Sequence, residues 1–213
     1  MARNNMMKKE LALKAYEILQ TEGIENITIR HIGTRAGCTS AAIYKHFEDL
    51  DHLLTFASIR TLQNYFEEFK EIINRDMNML DLNLELWERF AYYAFRDVDI
   101  FELLFWGKYN GWLGDMIYEY YLLFKDEMKD FDGLTASVLF NDNLKDREET
   151  MLRRAAATGC LSCENIAMLS DLVVCLFHGM LLDYKNTYKE EGKEGAEKFM
   201  RTLRSVYDKY RIK

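Results

Sequence analysis

The segment 28–47, TIRHIGTRAGCTSAAIYKHF, combines hydroxyl, basic and small apolar residues at a spacing that suits contact with DNA. Thr28 and Thr39 can each cap a short helix, and Gly37 can supply the positive φ of a sharp reversal between the two helices. The apolar residues of the second helix recur one turn apart on one face. Two helices joined in this way predict a helix-turn-helix, whose second helix can enter the major groove of DNA.

Cysteine and histidine offer a second kind of chemistry. Cys160 and Cys163 form a single CxxC pair, with Cys175 and His178 downstream. Zinc binding needs four convergent ligands, and thiol redox chemistry needs a thiolate of low pKa. Because there is no second CxxC pair and Cys175 falls in an apolar run, we expect reduced structural thiols, no metal site and no cofactor. The chain also has only four histidines and shows no paired carboxylates or phosphate-binding loop, so no catalytic residue is predicted.

Aromatic residues are abundant, with 3 Trp, 13 Tyr and 13 Phe. Most must belong to the core, but apolar pockets lined by aromatic rings and a few polar groups are typical ligand sites. We therefore expect some of them to line a pocket for a small-molecule effector, either aromatic or lipophilic. Asp97, Asp99 and Glu102 lie beside these rings in the sequence and would favour a lipophilic cation. The candidate pocket residues are Trp87, Phe95, Phe105, Trp106, Tyr109, Trp112, Tyr120 and Phe177.

The net charge of −7 is unevenly distributed along the 213 residues. Residues 1–60 contain eight Lys/Arg and seven Asp/Glu, which leaves 20 of the 28 basic and 28 of the 35 acidic residues to the rest of the chain. The acidity therefore lies outside the predicted helix-turn-helix, and a near-neutral tip with local basic groups can still approach DNA.

The composition also bounds the compartment. We find no run of 18 apolar residues, and the first ten residues, MARNNMMKKE, lack the apolar centre of a signal peptide. Four irregularly spaced cysteines do not make a disulfide framework. These features predict a cytoplasmic protein with no membrane partner.

The elements that position these residues are predicted to be helices throughout. The chain has no proline, and long stretches have apolar residues at helical spacing. A helix from about Asn5 to Glu22 precedes the helix-turn-helix, and a long helix capped by Asp49 extends to about Arg75. Further helices are predicted over 81–97, 100–108, 112–130, 142–158 and 162–190, and a final helix follows Gly195. We predict an all-α fold, with a three-helix DNA-binding domain at 1–50 and a larger helical ligand-binding and dimerisation domain at 51–213.

Residues 8–56 resemble the N-terminal region of the TetR/AcrR family of bacterial transcriptional regulators. The matching pieces occur in the family's order: Ala15, Ile18, Leu19 and Gly23, then Thr28, Arg30, Ile32, Ala36 and Gly37, then Thr39, Ile43, Tyr44, His46, Phe47, Leu53 and Leu54. The resemblance implies that Ile32, Cys38, Ile43 and Phe47 are core. It implies a DNA-binding surface made of Thr28, Arg30, Thr39, Ser40, Ala41, Ala42, Tyr44, Lys45 and His46.

The sequence departs from the family pattern at three positions. Gly33 stands where alanine is usual, and Cys38 replaces a usual valine. Leu50 stands where a phosphate-contacting lysine is common, with Glu48, Asp49 and Asp51 around it. The phosphate contacts would then fall to Arg3, Lys8, Lys9, Arg30 and Lys45. Since alanine reads DNA only by packing on a thymine methyl, Ala41 and Ala42 imply T-rich positions in the operator.

The last two predicted helices have apolar stripes wider than a one-sided helix needs. In the resembling family these helices build a four-helix bundle across a two-fold axis, and Gly179 would allow close approach there. The alternative is that both helices simply wrap their own domain. The predicted interface of a homodimer is Val173, Phe177, Met180, Leu181, Phe199, Leu203 and Val206.

These features predict a ligand-responsive DNA-binding transcriptional regulator that is not an enzyme. The resemblance favours a homodimeric repressor, released from a palindromic double-stranded DNA operator by a small molecule. The alternative is a helical interaction protein whose degenerate helix-turn-helix no longer reads DNA. The residues around Leu50 keep that alternative open.

Overall fold

The structure is a computed structural model that describes residues 2–125, 141, 143–187 and 192–212. In these residues the chain is almost entirely helical. These residues form eleven α-helices and two short 3-10 helices, with no β-strand among them. The predicted all-α fold is therefore confirmed. The α-helices are α1 (Ala2–Glu22), α2 (Ile29–Ala36), α3 (Ser40–Ile43), α4 (Leu50–Ser58), α5 (Gln63–Ile73), α6 (Met79–Arg96), α7 (Val98–Trp106), α8 (Leu113–Leu123), α9 (Leu144–Ala157), α10 (Ile166–Thr187) and α11 (Lys193–Tyr207).

Two helix ends predicted from the sequence, at residues 130 and 190, lie outside the described residues. The long helix predicted over 49–75 is interrupted, because a 3-10 turn at Ile59–Leu62 joins α4 to α5. The contacts divide the chain into two compact units at this same place. Unit 1 comprises Met1–Gln63 with Asp99–Asp130, and unit 2 comprises Asn64–Val98 with Phe131–Lys213.

This division differs from the predicted boundary between residues 50 and 51. The physical reason is that α8 packs against α4, so residues 99–130 belong with the helix-turn-helix. The Phe56 and Tyr120 rings lie 5.5 Å apart, and Lys8 Nζ lies 2.6 Å from Glu119 Oε1. A boundary drawn along the sequence could not anticipate that a distant segment returns to the first unit.

The core of unit 1 is built on α1, which packs against both α2 and α4. The predicted inward stripe of α1 is confirmed, since Leu11, Ala15, Ile18 and Leu19 are all buried. Burial of these side chains is the main source of the helix's stability, because most helical stability in proteins comes from packing of an apolar face.

The core of unit 2 is a cluster of aromatic rings around α6. Helix α6 packs against α9, α10 and α11. Trp87 on α6 lies 5.2 Å from the ring of Phe177 on α10 and 5.4 Å from that of Phe199 on α11. The ring of Phe90 also lies 5.4 Å from that of Phe177. Many of the aromatic residues counted in the sequence therefore close this core.

No run of 18 apolar residues was expected, but α10 contains a long and largely apolar stretch. Among the described residues, Ile166–Lys185 is long and apolar enough to cross a membrane by length and composition alone, with a mean hydropathy of 1.7. Only 28% of that stretch is buried within the chain. One face of α10 lies in the core of unit 2, and the opposite face is apolar and exposed.

Candidate nucleic-acid interface

Local hydrogen bonds fix the first helix of the helix-turn-helix and the turn that follows it. Thr28 Oγ1 accepts a hydrogen bond from the His31 amide at 3.1 Å, which caps α2. The helix ends at Gly37, whose φ of 66° is left-handed. The Cys38 amide then donates to the Gly33 carbonyl at 2.9 Å. A Cβ on Gly33 would lie 2.9 Å from the Cys38 carbonyl oxygen, so the turn closes against a residue without a side chain.

The recognition helix α3 is short and anchored from below. Thr39 Oγ1 accepts from the Ala42 amide at 3.3 Å, and this N-cap starts the helix. The Phe47 amide donates to the Ile43 carbonyl at 3.1 Å, so helical turns continue beyond the four residues of α3. Ile43 and Phe47 are both buried, as predicted. The opposite side of the segment is thereby presented to solvent.

Replacing Thr39 with alanine is expected to lower the free energy of unfolding by about 1 kcal/mol, because the Ala42 amide loses its acceptor. Urea unfolding followed by circular dichroism measures the change. Thr39→Ser is the control, since its hydroxyl keeps the cap. An equal loss in both variants would show that the cap hydroxyl is not the stabilising group.

The predicted DNA-contacting residues occupy this solvent side. Thr28, Arg30, Thr39, Ala41, Tyr44 and Lys45 are exposed, and Ser40, Ala42 and His46 are half-buried. Tyr44 is 56% exposed, so it is not a core aromatic. Burial, together with Lys8 and Lys45, lowers the pKa of His46, and its imidazole is therefore neutral at pH 7. This face combines hydrogen-bond donors, a positive charge on each of Arg30 and Lys45, and small residues that allow close approach to another molecule.

Two lysines predicted to contact phosphate make contacts within unit 1. Lys8 Nζ is paired with Glu119 at 2.6 Å and lies 4.8 Å from the centre of the Phe56 ring. Lys9 Nζ lies 4.7 Å over the Phe124 ring. The prediction is wrong for Lys8, because its side chain is largely buried and holds α1 on the rest of unit 1. The side chain of Arg3 lies outside the described residues.

Part of the chain resembles known proteins in sequence. Residues 13–55 match the family model described as bacterial regulatory proteins, tetR family. The HTH-type transcriptional regulator SAB2452 of Staphylococcus aureus is 31% identical over 58 residues, which are 27% of this chain and 31% of that protein. PksA of Bacillus subtilis, also an HTH-type transcriptional regulator, is 25% identical over 121 residues, 49% of this chain and 59% of that protein. The matched regions therefore span about a third and three fifths of these relatives.

The resemblance of the N-terminal segment to the tetR family is therefore confirmed. Solved structures show the same fold over nearly the whole chain. FadR of Thermus thermophilus, a TetR-family repressor in complex with lauroyl-CoA, aligns with a TM-score of 0.59 at 16% identity over 92% of each chain. RolR in complex with resorcinol aligns with a TM-score of 0.58 at 12% identity, over 94% of this chain and 89% of that one. At these identities the likeness extends to the fold alone.

The aromatic residues predicted to line one pocket are divided between the two units. Phe105, Trp106, Tyr109, Trp112 and Tyr120 belong to unit 1, whereas Trp87, Phe95 and Phe177 belong to unit 2. Trp112 is exposed, Tyr120 stacks on Phe124, and Phe177 is completely buried among other rings. The acidic wall is divided as well, because Asp97 lies in unit 2 and accepts from Arg96, while Asp99 and Glu102 lie in unit 1.

Unit 2 contains a small cavity that the sequence did not predict. Its volume is about 40 Å³, and of the predicted pocket residues only Trp87 lines it. A groove of about 200 Å³ on the same unit includes Phe95 and Met180. The other lining residues of the cavity are Tyr65, Phe69, Asn83, Leu86, Phe90, Leu144, Arg147, Glu148 and Met151.

Glu148, which was not predicted as a site residue, is the buried carboxylate at this cavity. Its carboxylate accepts from Trp87 Nε1 at 2.6 Å, from Asn83 Nδ2 at 3.1 Å and from the Tyr207 hydroxyl. Burial raises the pKa of Glu148, against the effect of these donors. The available signal was its position on the apolar face of α9, four residues after Leu144, where a glutamate is unusual.

Five of the seven predicted interface residues lie in the core of unit 2 instead. Val173, Phe177, Leu181, Phe199 and Leu203 have no exposed surface, so they have none to offer a second chain. Met180 and Val206 are half-buried. For the residues on α10 the reason is that both faces of this helix are apolar, and periodicity does not tell which face is turned inward.

The four cysteines are free thiols, three of them half-buried and Cys175 exposed. Across the described ranges, no group of three or more His, Cys, Asp or Glu is arranged to hold a metal ion.

Proposed function

We propose that this chain is a homodimeric, ligand-responsive transcriptional regulator of the TetR family that represses from a palindromic DNA operator. The observation that carries the proposal is the solvent side of the helix-turn-helix. There, Arg30, Tyr44 and Lys45 are exposed around a capped recognition helix held by Ile43 and Phe47. Phosphate contacts from such residues position a recognition helix, and base contacts from it specify the sequence. A DNA-binding role requires the protein to work in the cytoplasm.

Replacing Lys45 with alanine is expected to weaken DNA binding and to reduce the slope of log K against log salt by about 1, because one phosphate contact is lost. Fluorescence anisotropy with a labelled duplex from the protein's own upstream region, titrated at several salt concentrations, measures both effects. Lys145→Ala is the matched control, since Lys145 is an exposed lysine in unit 2. Absence of salt-dependent DNA binding by the wild-type protein would instead support the alternative, a helical interaction protein.

The proposed dimer contact is the exposed apolar face of α10, not the residues predicted from the sequence. Met168, Leu172, Cys175, Gly179 and Leu182 recur at spacings of four and three residues, and all five are exposed. Met168 and Leu172 are 54% and 50% exposed, which is unusual for large apolar residues on a long helix. Apolar residues spaced alternately four and three positions apart form the seam along which two helices pack. We name these five residues the α10 seam.

A second copy of the chain is the occupant that fits the α10 seam. A two-fold interface presents the same patch from both subunits, so one self-complementary stripe is sufficient. Gly179 has open space at its Cβ position, which lets the two backbones approach each other. Dimerisation also supplies two recognition helices for the two half-sites of an operator.

The effector is proposed to be a small aromatic or lipophilic molecule that binds unit 2. FadR and RolR, which share the fold, are known in complex with lauroyl-CoA and resorcinol. The cavity at Trp87 and Glu148, about 40 Å³ in volume, is far smaller than the 300–1,000 Å³ of ordinary ligand pockets. Effector binding there therefore requires the surrounding helices to separate. An effector that binds this opened conformation more tightly than the closed one would shift the equilibrium away from the DNA-binding state.

A further inference from the structure

A distant loop covers the acidic residues that follow the recognition helix. Lys108 Nζ lies 2.5 Å from Asp49 Oδ2, although 59 residues separate the two in sequence. The hydroxyl of Tyr109 lies 3.0 Å from the same Asp49 oxygen and 3.1 Å from Glu48 Oε2, and it can donate to either. The Tyr109 ring also stacks on His52 with a centroid distance of 5.0 Å. All these residues belong to unit 1.

The placement of Lys108 is determined by its neighbours. Tyr109 is largely buried, and its stacking on His52 holds the loop against the start of α4. Asp49 is itself fixed, because its carboxylate accepts from the His52 amide at 2.9 Å and caps α4. Burial raises the pKa of Asp49, but the hydrogen bonds from Lys108, the His52 amide and Tyr109 together lower it below its ordinary value. The pair is therefore fully charged at neutral pH.

The electrostatic consequence concerns the approach of DNA. Glu48, Asp49 and Asp51 follow the recognition helix with no cation among them in the sequence, and each would repel a phosphate backbone. The side chain of Lys108 is 60% exposed, so its charge lies at the same surface as these carboxylates. Lys108 thus supplies, from outside the helix-turn-helix, a positive charge at the place where the local sequence has only negative ones.

We propose that Lys108 is a determinant of DNA affinity, which neutralises Asp49 so that the end of the recognition helix can approach the phosphate backbone. The inference rests on the proposed DNA-binding function and adds a residue to it that lies outside the helix-turn-helix. An exposed ion pair contributes little to folding stability, so removing Lys108 leaves a folded protein in which this effect can be measured.

A charge-balance cycle at Lys108 and Asp49 tests the proposal. Lys108→Ala adds one net negative charge at the surface, so it is expected to weaken binding about threefold to tenfold at low salt, where the added repulsion is least screened. Asp49→Asn keeps a good helix cap and frees Lys108, so it is expected to strengthen binding by a similar factor. The double variant restores the net charge and is expected to bind as the wild type does.

The measurement uses a fluorescein-labelled duplex that the wild-type protein selects from a random pool. Lys145→Ala is the control, because it removes an exposed lysine that is also paired with an aspartate, Asp171, in unit 2. Unchanged affinity in Lys108→Ala, or a double variant as weak as Lys108→Ala, would overturn the inference while the wild type still binds. If the wild type selects no DNA, the proposed function itself fails. Melting temperatures of all variants confirm that folding is retained.

Discussion

Replacing Glu148 with alanine is expected to lower the free energy of unfolding by about 3–5 kcal/mol, one of the largest effects for any single residue of this chain. The side chain is 2% exposed and accepts hydrogen bonds from Trp87, Asn83 and Tyr207. Its removal leaves Trp87 Nε1 and the Tyr207 hydroxyl without their acceptor and adds a cavity in the core of unit 2. Urea unfolding followed by tryptophan fluorescence measures the change.

Glu149→Ala is the matched control for this variant. Glu149 is the next residue of α9, and its carboxylate pairs with Arg153 one turn later on the helix surface. Surface pairs of this kind are worth about 0.3–0.5 kcal/mol, so the control should stay close to the wild type. If the two variants lost the same stability, the buried network would not be the reason for the effect.

The pH dependence of stability gives a second test of the same network. Burial raises the pKa of Glu148 from its ordinary value of 4.5. Between the unfolded and the raised folded value, the folded chain holds a proton that the unfolded chain has released. The stability contributed by this group is therefore complete below the unfolded pKa and is lost as the pH rises through the folded pKa. Glu148→Gln should remove this dependence, whereas a profile parallel to that of the wild type would contradict it.

The features of the site that were predictable from the sequence are local ones. Thr28, Gly37 and Thr39 were recognisable because caps and left-handed turns depend on residues three or four positions away. The buried anchors Ile43 and Phe47 follow from helical spacing in the same way. The confirmed TetR-family resemblance rests on this segment, and so does the proposed DNA-binding surface.

The features that escaped prediction depend on long-range packing. Lys108 meets Asp49 only because α8 returns to unit 1, and Glu148 meets Tyr207 only because α9 and α11 both pack on α6. The sequence did not show which face of α10 is buried, for a related reason. Val173 and Leu172 are adjacent and equally apolar, and only the fold buries the first and exposes the second.

Replacing Leu172 with aspartate is expected to convert the proposed dimer into a monomer and to abolish tight binding to a palindromic operator. A two-fold interface counts each substitution twice, and burying one leucine is worth about 1.5–3 kcal/mol. The two losses together weaken dimerisation by about 3–6 kcal/mol, or about 10²–10⁴-fold. Sedimentation equilibrium measures the dissociation constant of the dimer, and anisotropy measures binding to one and to two half-sites.

Leu172→Asp tests the α10 seam cleanly because the residue is already half exposed in the single chain, so the variant should keep its helical circular dichroism and melting temperature. Leu122→Asp is the matched control: Leu122 on α8 is 44% exposed, and it belongs to unit 1, whereas the α10 seam belongs to unit 2. The control should remain dimeric and bind both half-sites. Equal dimerisation by the Leu172 variant and the wild type would reject the α10 seam as the interface. A monomer that still binds single half-sites with the salt dependence of the wild type would instead show that DNA contact and dimerisation are separable.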